Sequence, residues 1–307
     1  MRILYNGVNI YDDISLNYAV HEMNAEKYAD TIVLRFNDPK GVWSKWDPQT
    51  GDKIAFEHEA AKTGTMFIHQ LRPENGLYTV RAMSMPVSGK DKRSKSWAAV
   101  HFFQLAQEVA TRHGLTLKIY GASDQVYQYM AQNNETDFAF LSRLCMLEGC
   151  QMLIYDGALI IYDEQYMEGQ TATATLTVGS NGIFEYEDTT DMIYGSAEVT
   201  NGAISGSFKD PSGTSTRVLR TEIPIKITNK AEAVRFAQGL LREANKNSQI
   251  GHFSRELMTG YAAVSIVTLS TTKASAWNGK IFITKVRHDY VGNKTVLYFR
   301  KVRLEGY

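Results

Sequence analysis

The residues best suited to chemistry are four acids, Glu185, Glu187, Asp188 and Asp191, in the stretch IFEYEDTTDM. Carboxylates this close suit a cation site or half of a glycoside hydrolase centre, whose two acids stand about 5–10 Å apart across a cleft. The spacing lacks the DxDxDG order that wraps calcium, and no second acid can be named across a cleft. In an extended segment Glu185 and Glu187 point to one face, where like charges need solvent. The four acids therefore read as a solvated edge that discourages strand addition. His101 and His113 are the histidines that one helix would carry. At about 100° per residue they stand about 120° apart and cannot ligate one metal together.

The next candidate is the basic run Lys90, Lys92, Arg93 and Lys95 in SGKDKRSKSW. A phosphate-binding surface would need further cations, with aromatic or polar groups to read bases. Here Asp91 interrupts the charges and Trp97 opens an apolar, periodic stretch, so a solvated linker is favoured over a protein or nucleic-acid contact. Trp43 and Trp46 would serve a surface-binding module if exposed; packing within a β-rich core is the favoured reading. Cys145 and Cys150, the only cysteines, read as buried thiols rather than a bridge or redox pair. Asp12 and Asp13 fit a turn. The sequence holds no GK[ST]-ending glycine loop, GxGxxG, GxSxG or HExxH. No catalytic, cofactor-binding or metal-ligating residue is assigned, no cofactor is expected, and partner-binding residues are not identified.

The elements that would carry these residues are mostly strands. ADTIVLRFND alternates Ile32, Leu34 and Phe36 with Val33 and Arg35, and GTMFIHQLRPENGLYTVRAMSMP predicts a hairpin about ENG. From Ala99 through Phe102, Phe103, Ala106, Val109 and Ala110 the spacing predicts a helix, stopped by Gly114. LTLKIYG predicts a strand. Asn134 or Thr136 can cap a second helix, with Glu135 and Asp137 near its positive end. QMLIYDGALIIYDE predicts a hairpin about Asp156-Gly157. Strands return from Thr171, interrupted by one helix in which Asn229 and Glu232 have capping-box spacing and Val234, Ala237, Leu241 and Ala244 share a face. The loop SFKDPSGTSTR reads as polar and exposed.

A length of 307 residues admits two or three domains. Zero formal net charge leaves no whole-molecule field to draw the chain to DNA or an anionic membrane. Charge is segregated, however: no Lys or Arg occurs from Leu144 to Phe208, while 17 basic and 7 acidic residues follow from Lys209. Such opposed surfaces suit subunit contacts, and chance segregation on solvated faces explains them equally well. MRILYNGVNIYDD is not a secretory signal, and no apolar stretch approaches a membrane span, so no membrane anchor is expected. The expected fold class is α+β, mainly β: two β-barrel-like tube domains flanking a small α/β middle domain. The expected boundaries are 1–88 for the first β-rich domain, 89–96 for a basic linker, 97–168 for the α/β domain and 169–307 for the second β-rich domain, with one helix at about 229–246.

The order of motifs resembles the phage late control D family, hub proteins at the centre of contractile-tail baseplates. The resemblance rests on YADTIVLRFNDPKGVWSKWDPQTGDKIAF, on KRSKSWAAVHFFQLAQEVATRHGLTL and on QNNETDFAFLSRLCMLEGCQMLIYDGALIIYD, with GKIFITKVRHDYVGNKTVLYFRKVRL resembling the last hairpin. It implies a structural protein and not an enzyme: a homotrimer whose six barrel units adapt a sixfold tail tube to a threefold central spike. It also implies contacts with the tube or tube-initiator protein, the tape-measure protein and baseplate wedge proteins, and no sequence-specific nucleic-acid binding. The implied location is a virion or tail-like particle assembled in the bacterial cytoplasm. The chain reaches Tyr307 just after the last predicted strand, so no wall-cutting domain is expected within it. The rival readings are a carbohydrate-active (cell-wall) hydrolase and a monomeric surface-binding module.

Overall fold

The computed structural model describes residues 1–26, 29–179, 183–222, 226–272 and 274–303. The chain opens with β1 (Arg2–Tyr5), β2 (Val8–Asn9), β3 (Ser15–Asn24) and β4 (Thr31–Asn37). The short helix α1 (Val42–Trp46) precedes β5 (Lys53–His58), β6 (Ala61–Lys62), β7 (Met66–Glu74) and β8 (Leu77–Met83). In β4 the alternation holds: Ile32, Leu34 and Phe36 are buried, as one apolar face per strand requires. The β7–β8 hairpin turns on Asn75-Gly76, with Gly76 at φ +74, the left-handed geometry a two-residue turn needs. Trp43 is buried and stacks on Phe36 with ring centroids 4.3 Å apart, whereas Trp46 stays 41% exposed.

The basic run is not a linker. Lys92–His101 form β9, which pairs antiparallel with β11 (Val126–Thr136). Arg93 and Lys95 pair with acids on the packed helices, Asp137 and Glu108, and stay 36% and 42% exposed, so strand pairing and not loss of solvent sets this run apart from a linker. Trp97 lies within this strand, its ring stacked on Phe140 and its Nε1 donating to Glu108 at 2.9 Å. The helix α2 begins only at Phe102 and runs to Arg112, with Gly114 left-handed just beyond it. Then come β10 (Thr116–Tyr120), α3 (Asp137–Leu147), β12 (Cys150–Tyr155), β13 (Ala158–Asp163) and the short α4 (Glu164–Glu168). Thr136 caps α3 by accepting from the Ala139 N–H at 3.2 Å. β10 lies parallel to β13, and the β12–β13 hairpin turns at Asp156-Gly157.

The remaining strands are β14 (Thr175–Val178), β15 (Ile183–Asp188), β16 (Ser196–Asn201), β17 (Ile204–Lys209) and β18 (Val218–Glu222). The helix α5 (Lys230–Asn245) leads to β19 (Gln249–Glu256), β20 (Ile266–Thr271), β21 (Gly279–Asp289) and β22 (Lys294–Lys301). The helix expected within the last β-rich part packs elsewhere. Phe236, Ala237 and Leu241 of α5, with Ala197 and Val199 of β16, join the same apolar core as α2 and α3. Its buried face also takes Glu232, Ala233 and Arg242, while Ala244 is exposed and Val234 half-buried. Sequence order could not show this return of the chain to the middle core, because an amphipathic face does not name its partner. Asn229 caps α5 by accepting from the Glu232 N–H, and Glu232 in turn accepts from Thr228.

Gly239 is where α5 meets α3. A Cβ there would lie 2.3 Å from the Leu147 carbonyl oxygen, a backbone atom that cannot swing aside. Gly239→Ala is therefore expected to destabilise the chain by about 1–3 kcal/mol despite better helix propensity, measured as a shift in the urea midpoint.

One 14-stranded sheet links the two ends of the chain, in the order β15-β19-β22-β21-β3-β4-β8-β7-β5-β1-β2, with β20 and β14 branching from β21 and β6 from β5. Within it the same arrangement occurs twice: β3-β4-β8-β7-β5-β1 and β15-β19-β22-β21-β20-β14. Each has its own apolar core. They differ in the sixth strand, since β1 runs antiparallel to β5 while β14 runs parallel to β20.

Candidate functional site

The two repeated arrays meet at one strand pair, β3 against β21, in the register Asn24↔Lys285 through Val20↔Asp289. The strand period of two sorts its side chains. Met23, Val286, His21 and His288 are buried on one side. On the other side Glu22 accepts from Lys285 Nζ at 3.0 Å and pairs with Arg287 Nε at 3.3 Å. His21 and His288 stand directly opposite each other. Burial, together with the charge of its neighbour, pushes the His21 pKa down from 6.5 to about 3, and burial pushes His288 to about 4. Both imidazoles are therefore neutral at neutral pH. His288 Nδ1 shares a hydrogen bond with the Thr295 hydroxyl at 2.8 Å.

Beside this seam all parts of the chain converge on a buried ionic cluster. Glu164 of α4 takes Arg300 Nη2 at 2.9 Å, Lys246 Nζ at 3.1 Å and Arg242 Nε at 3.2 Å. Glu168, one helical turn on, takes Arg242 at 3.1 Å and also Arg300. Glu26, just past β3, and Glu243 each lie 2.7 Å from Lys246. Burial alone would raise the Glu164 carboxyl, but Arg300, Lys246 and Arg242 bring it down to about 2. Burial acts against the charge of Lys246, and its ring of carboxylates overrides that and raises its pKa. The cluster ties the end of β3, α4, α5 and β22 into one body. It was missed in the sequence, where its only signal is two like-charged pairs at helical four-residue spacing, Glu164/Glu168 and Arg242/Lys246.

A second polar centre lies in the middle module. Buried Asp137 accepts from Arg112 at 2.7 Å, from His113 Nε2 at 2.9 Å and from Gln132 at 2.9 Å, with Arg93 at 3.4 Å. Burial would raise its pKa; these donors hold it below the usual range. Ser88 Oγ sits 2.8 Å from His113 Nδ1, so Ser88, His113 and Asp137 form a chain like that of a hydrolase triad. The chemistry does not follow. Two guanidiniums already compensate the Asp137 charge, which leaves it little to offer an imidazolium, the task of a triad acid. The arrangement pins β9, α2 and α3 together.

The acids singled out in the sequence do not converge either. Glu185, Glu187, Asp188 and Asp191 are all exposed, the first three on the outer strand β15. Glu185 reaches only His252, at 3.7 Å. An apolar cleft of about 480 Å³ is lined by Met23, Tyr155, Tyr162 and Met167 among others. Asp30 is the one carboxylate among the described residues lining it, where glycoside hydrolysis needs two. His101 and His113 flank α2 and take different acids, Asp124 and Asp137. Among the described residues no group of three or more His, Cys, Asp or Glu could hold a metal ion. Cys145 and Cys150 are free and buried, and burial pushes both thiols up, away from nucleophilic thiolate chemistry. No helix among the described residues is long and apolar enough to cross a membrane.

The family described as phage tail baseplate hub (GPD) matches residues 79–294. The chain belongs to this family. Hub-family membership makes it a structural tail component, part of a virion or tail-like particle. The hub chain shares its fold with the 43 kDa tail protein of prophage MuSo2 from Shewanella oneidensis, at 14% identity, 97% coverage of each chain and a TM-score of 0.72. It matches a tail protein from Neisseria meningitidis MC58 at 13% identity, covering 98% of this chain and 95% of that one, with a TM-score of 0.74. The E. coli c3393 protein, a component of the type VI secretion system, matches at 11% identity over 100% of this chain and 79% of that one, with a TM-score of 0.66. At these identities the likeness is one of fold. Comparison with curated protein sequences gives no match.

Proposed function

We propose that this hub-family chain works as a trimer in which six repeated β arrays form a ring that adapts a sixfold tail tube to a threefold central spike. The observation that carries this reading is the internal repeat: two arrays of the same strand order, joined edge to edge by β3 and β21. Three chains then present six near-equivalent units, and closing them into a ring satisfies strand edges that would otherwise stay open. The arrays act as two barrel-like tube domains, one from residues 1–88 and one from 175–188 with 249–301. The middle module, from 92–168 with 194–246, braces them from outside. The ring lines a channel, meets the tube or tube-initiator protein on one face and the spike on the other, and holds the end of the tape-measure protein. Wedge proteins dock at its periphery, and the parts assemble in the bacterial cytoplasm. The mechanism is mechanical: the ionic cluster fixes the angle between units so that six of them close.

Sedimentation or mass photometry of the chain, alone and co-expressed with the other tail proteins, tests this. A trimer is expected; a strict monomer that cleaves peptidoglycan would sink the reading.

A further inference from the structure

We propose that the outer edge of β7, over Gln70–Glu74, pairs antiparallel with β15 of a second copy of this chain, in the register that the β3·β21 seam already uses. This names the contact surface for the ring proposed above and rests on that reading. The argument is one of matched registers. In the β7–β8 hairpin the partners run Phe67↔Met83, Ile68↔Ala82, Gln70↔Arg81 and on to Glu74↔Leu77, with a shift between Ile68 and Gln70. In the β21–β22 hairpin they run Phe282↔Arg300, Ile283↔Phe299, Lys285↔Tyr298 and on to Asp289↔Lys294, with the same shift between Ile283 and Lys285. Arg72 therefore stands where Arg287 stands. Past the shift, β21 leaves β20 and turns its edge to β3. β7 likewise pairs with β5 only at Met66 and Phe67, and among the described residues no strand covers its edge beyond.

The other half of the contact follows through the neighbouring strands. Glu22 pairs with Thr31, which pairs with Met83. Glu187 pairs with Ile250, which pairs with Arg300. Met83 and Arg300 are equivalent in the hairpin match, so Glu187 stands where Glu22 stands. Within the chain, Arg287 and Glu22 form an ion pair at 3.3 Å across the seam. Between copies, the same register brings Arg72 opposite Glu187. The charges are complementary at the rung where the internal seam is ionic, in a register that follows from the strand pairings alone. Arg72 is exposed and turned toward Glu74 of its own strand at 2.8 Å, which leaves it beside the edge it would serve. Two features make this seam weaker than the internal one. Pro73 replaces His288 and brings no N–H, removing one rung, and Glu74 falls opposite Glu185, a repulsion that Arg72 offsets.

The test uses the full chain carrying Arg72→Cys and Glu187→Cys together. Facing residues of an antiparallel pair have Cα atoms about 4.5–5.5 Å apart, within disulfide reach. Oxidation should give covalently closed trimers from the double variant and no ladder from either single variant. Arg72→Glu and Glu187→Arg should each weaken assembly by about tenfold, and the double reversal should recover most of it. Trimers that form without cross-linking above the single-variant level would refute this seam and leave the ring standing. A wild-type chain that stays monomeric at every concentration, with and without co-expressed tail proteins, would remove both.

Discussion

Glu164→Gln is expected to cost about 3–5 kcal/mol of stability, the scale for removing one partner from a buried ionic network. Glu164 is 1% exposed and compensates Arg300, Lys246 and Arg242 together. The amide keeps the shape but takes away the charge, leaving three buried cations against Glu168, Glu26 and Glu243. Its folded pKa of about 2 lies below the free value of 4.5, so its contribution is complete above pH 4.5 and fades as the pH falls toward 2. Urea unfolding at pH 7 measures the loss. Because the cluster joins β3, α4, α5 and β22, the variant should also loosen the contact between the arrays, seen as faster hydrogen exchange along β3 and β21. A change below 1 kcal/mol would mean that the cluster does not hold the modules.

The second large effect is acid sensitivity at the seam. His21 and His288 have folded pKa values of about 3 and 4 against 6.5 for free imidazole. Between those limits the unfolded chain binds protons that the folded chain refuses, so stability rises with pH across that window. Between pH 7 and pH 5 the loss is about 2 kcal/mol per histidine. Asp30 acts the other way, because burial raises its carboxyl to about 7 and a raised acid favours the fold as pH falls. The comparison is therefore with His21→Leu/His288→Leu, whose urea midpoint should rise between pH 7 and pH 5 as Asp30 takes up its proton, where that of the wild type falls. Equal slopes for wild type and double variant would refute the assignment.

Much of the fold was legible where local chemistry decides it. Ile32, Leu34 and Phe36 alternate because one face of β4 is buried, and Asp156-Gly157 turns because both residues take positive φ. Thr136 caps α3 as its side chain requires. The errors fell where a distant partner decides. Lys92 and Lys95 are exposed as a basic run suggests, yet pairing with β11 makes their segment a strand and not a linker, and α5 shows an apolar face without saying which core it enters. The candidate site was the least legible part, since Glu22 and Arg287 are separated along the chain by nearly its whole length. Glu185, Glu187 and Asp188 of β15, with Asp191 just beyond it, were visible but read only as a protected edge; the proposed register gives that edge a counterpart in Arg72.

The return of the chain to the middle core has a consequence for synthesis. β15 leaves the ribosome well before β19, because β16–β18 and α5 are made between them. The first array is complete by β8, while the second waits for β19 to β22 and needs pairings between residues far apart in sequence, the slowest kind to form. β21, which carries the seam to β3, is among the last strands made. The older array thus keeps its β3 edge without its partner strand until β21 is made, near the end of translation. An edge left open that long is a template for pairing with another chain, so the order of manufacture leaves the first array most exposed just before β21 arrives.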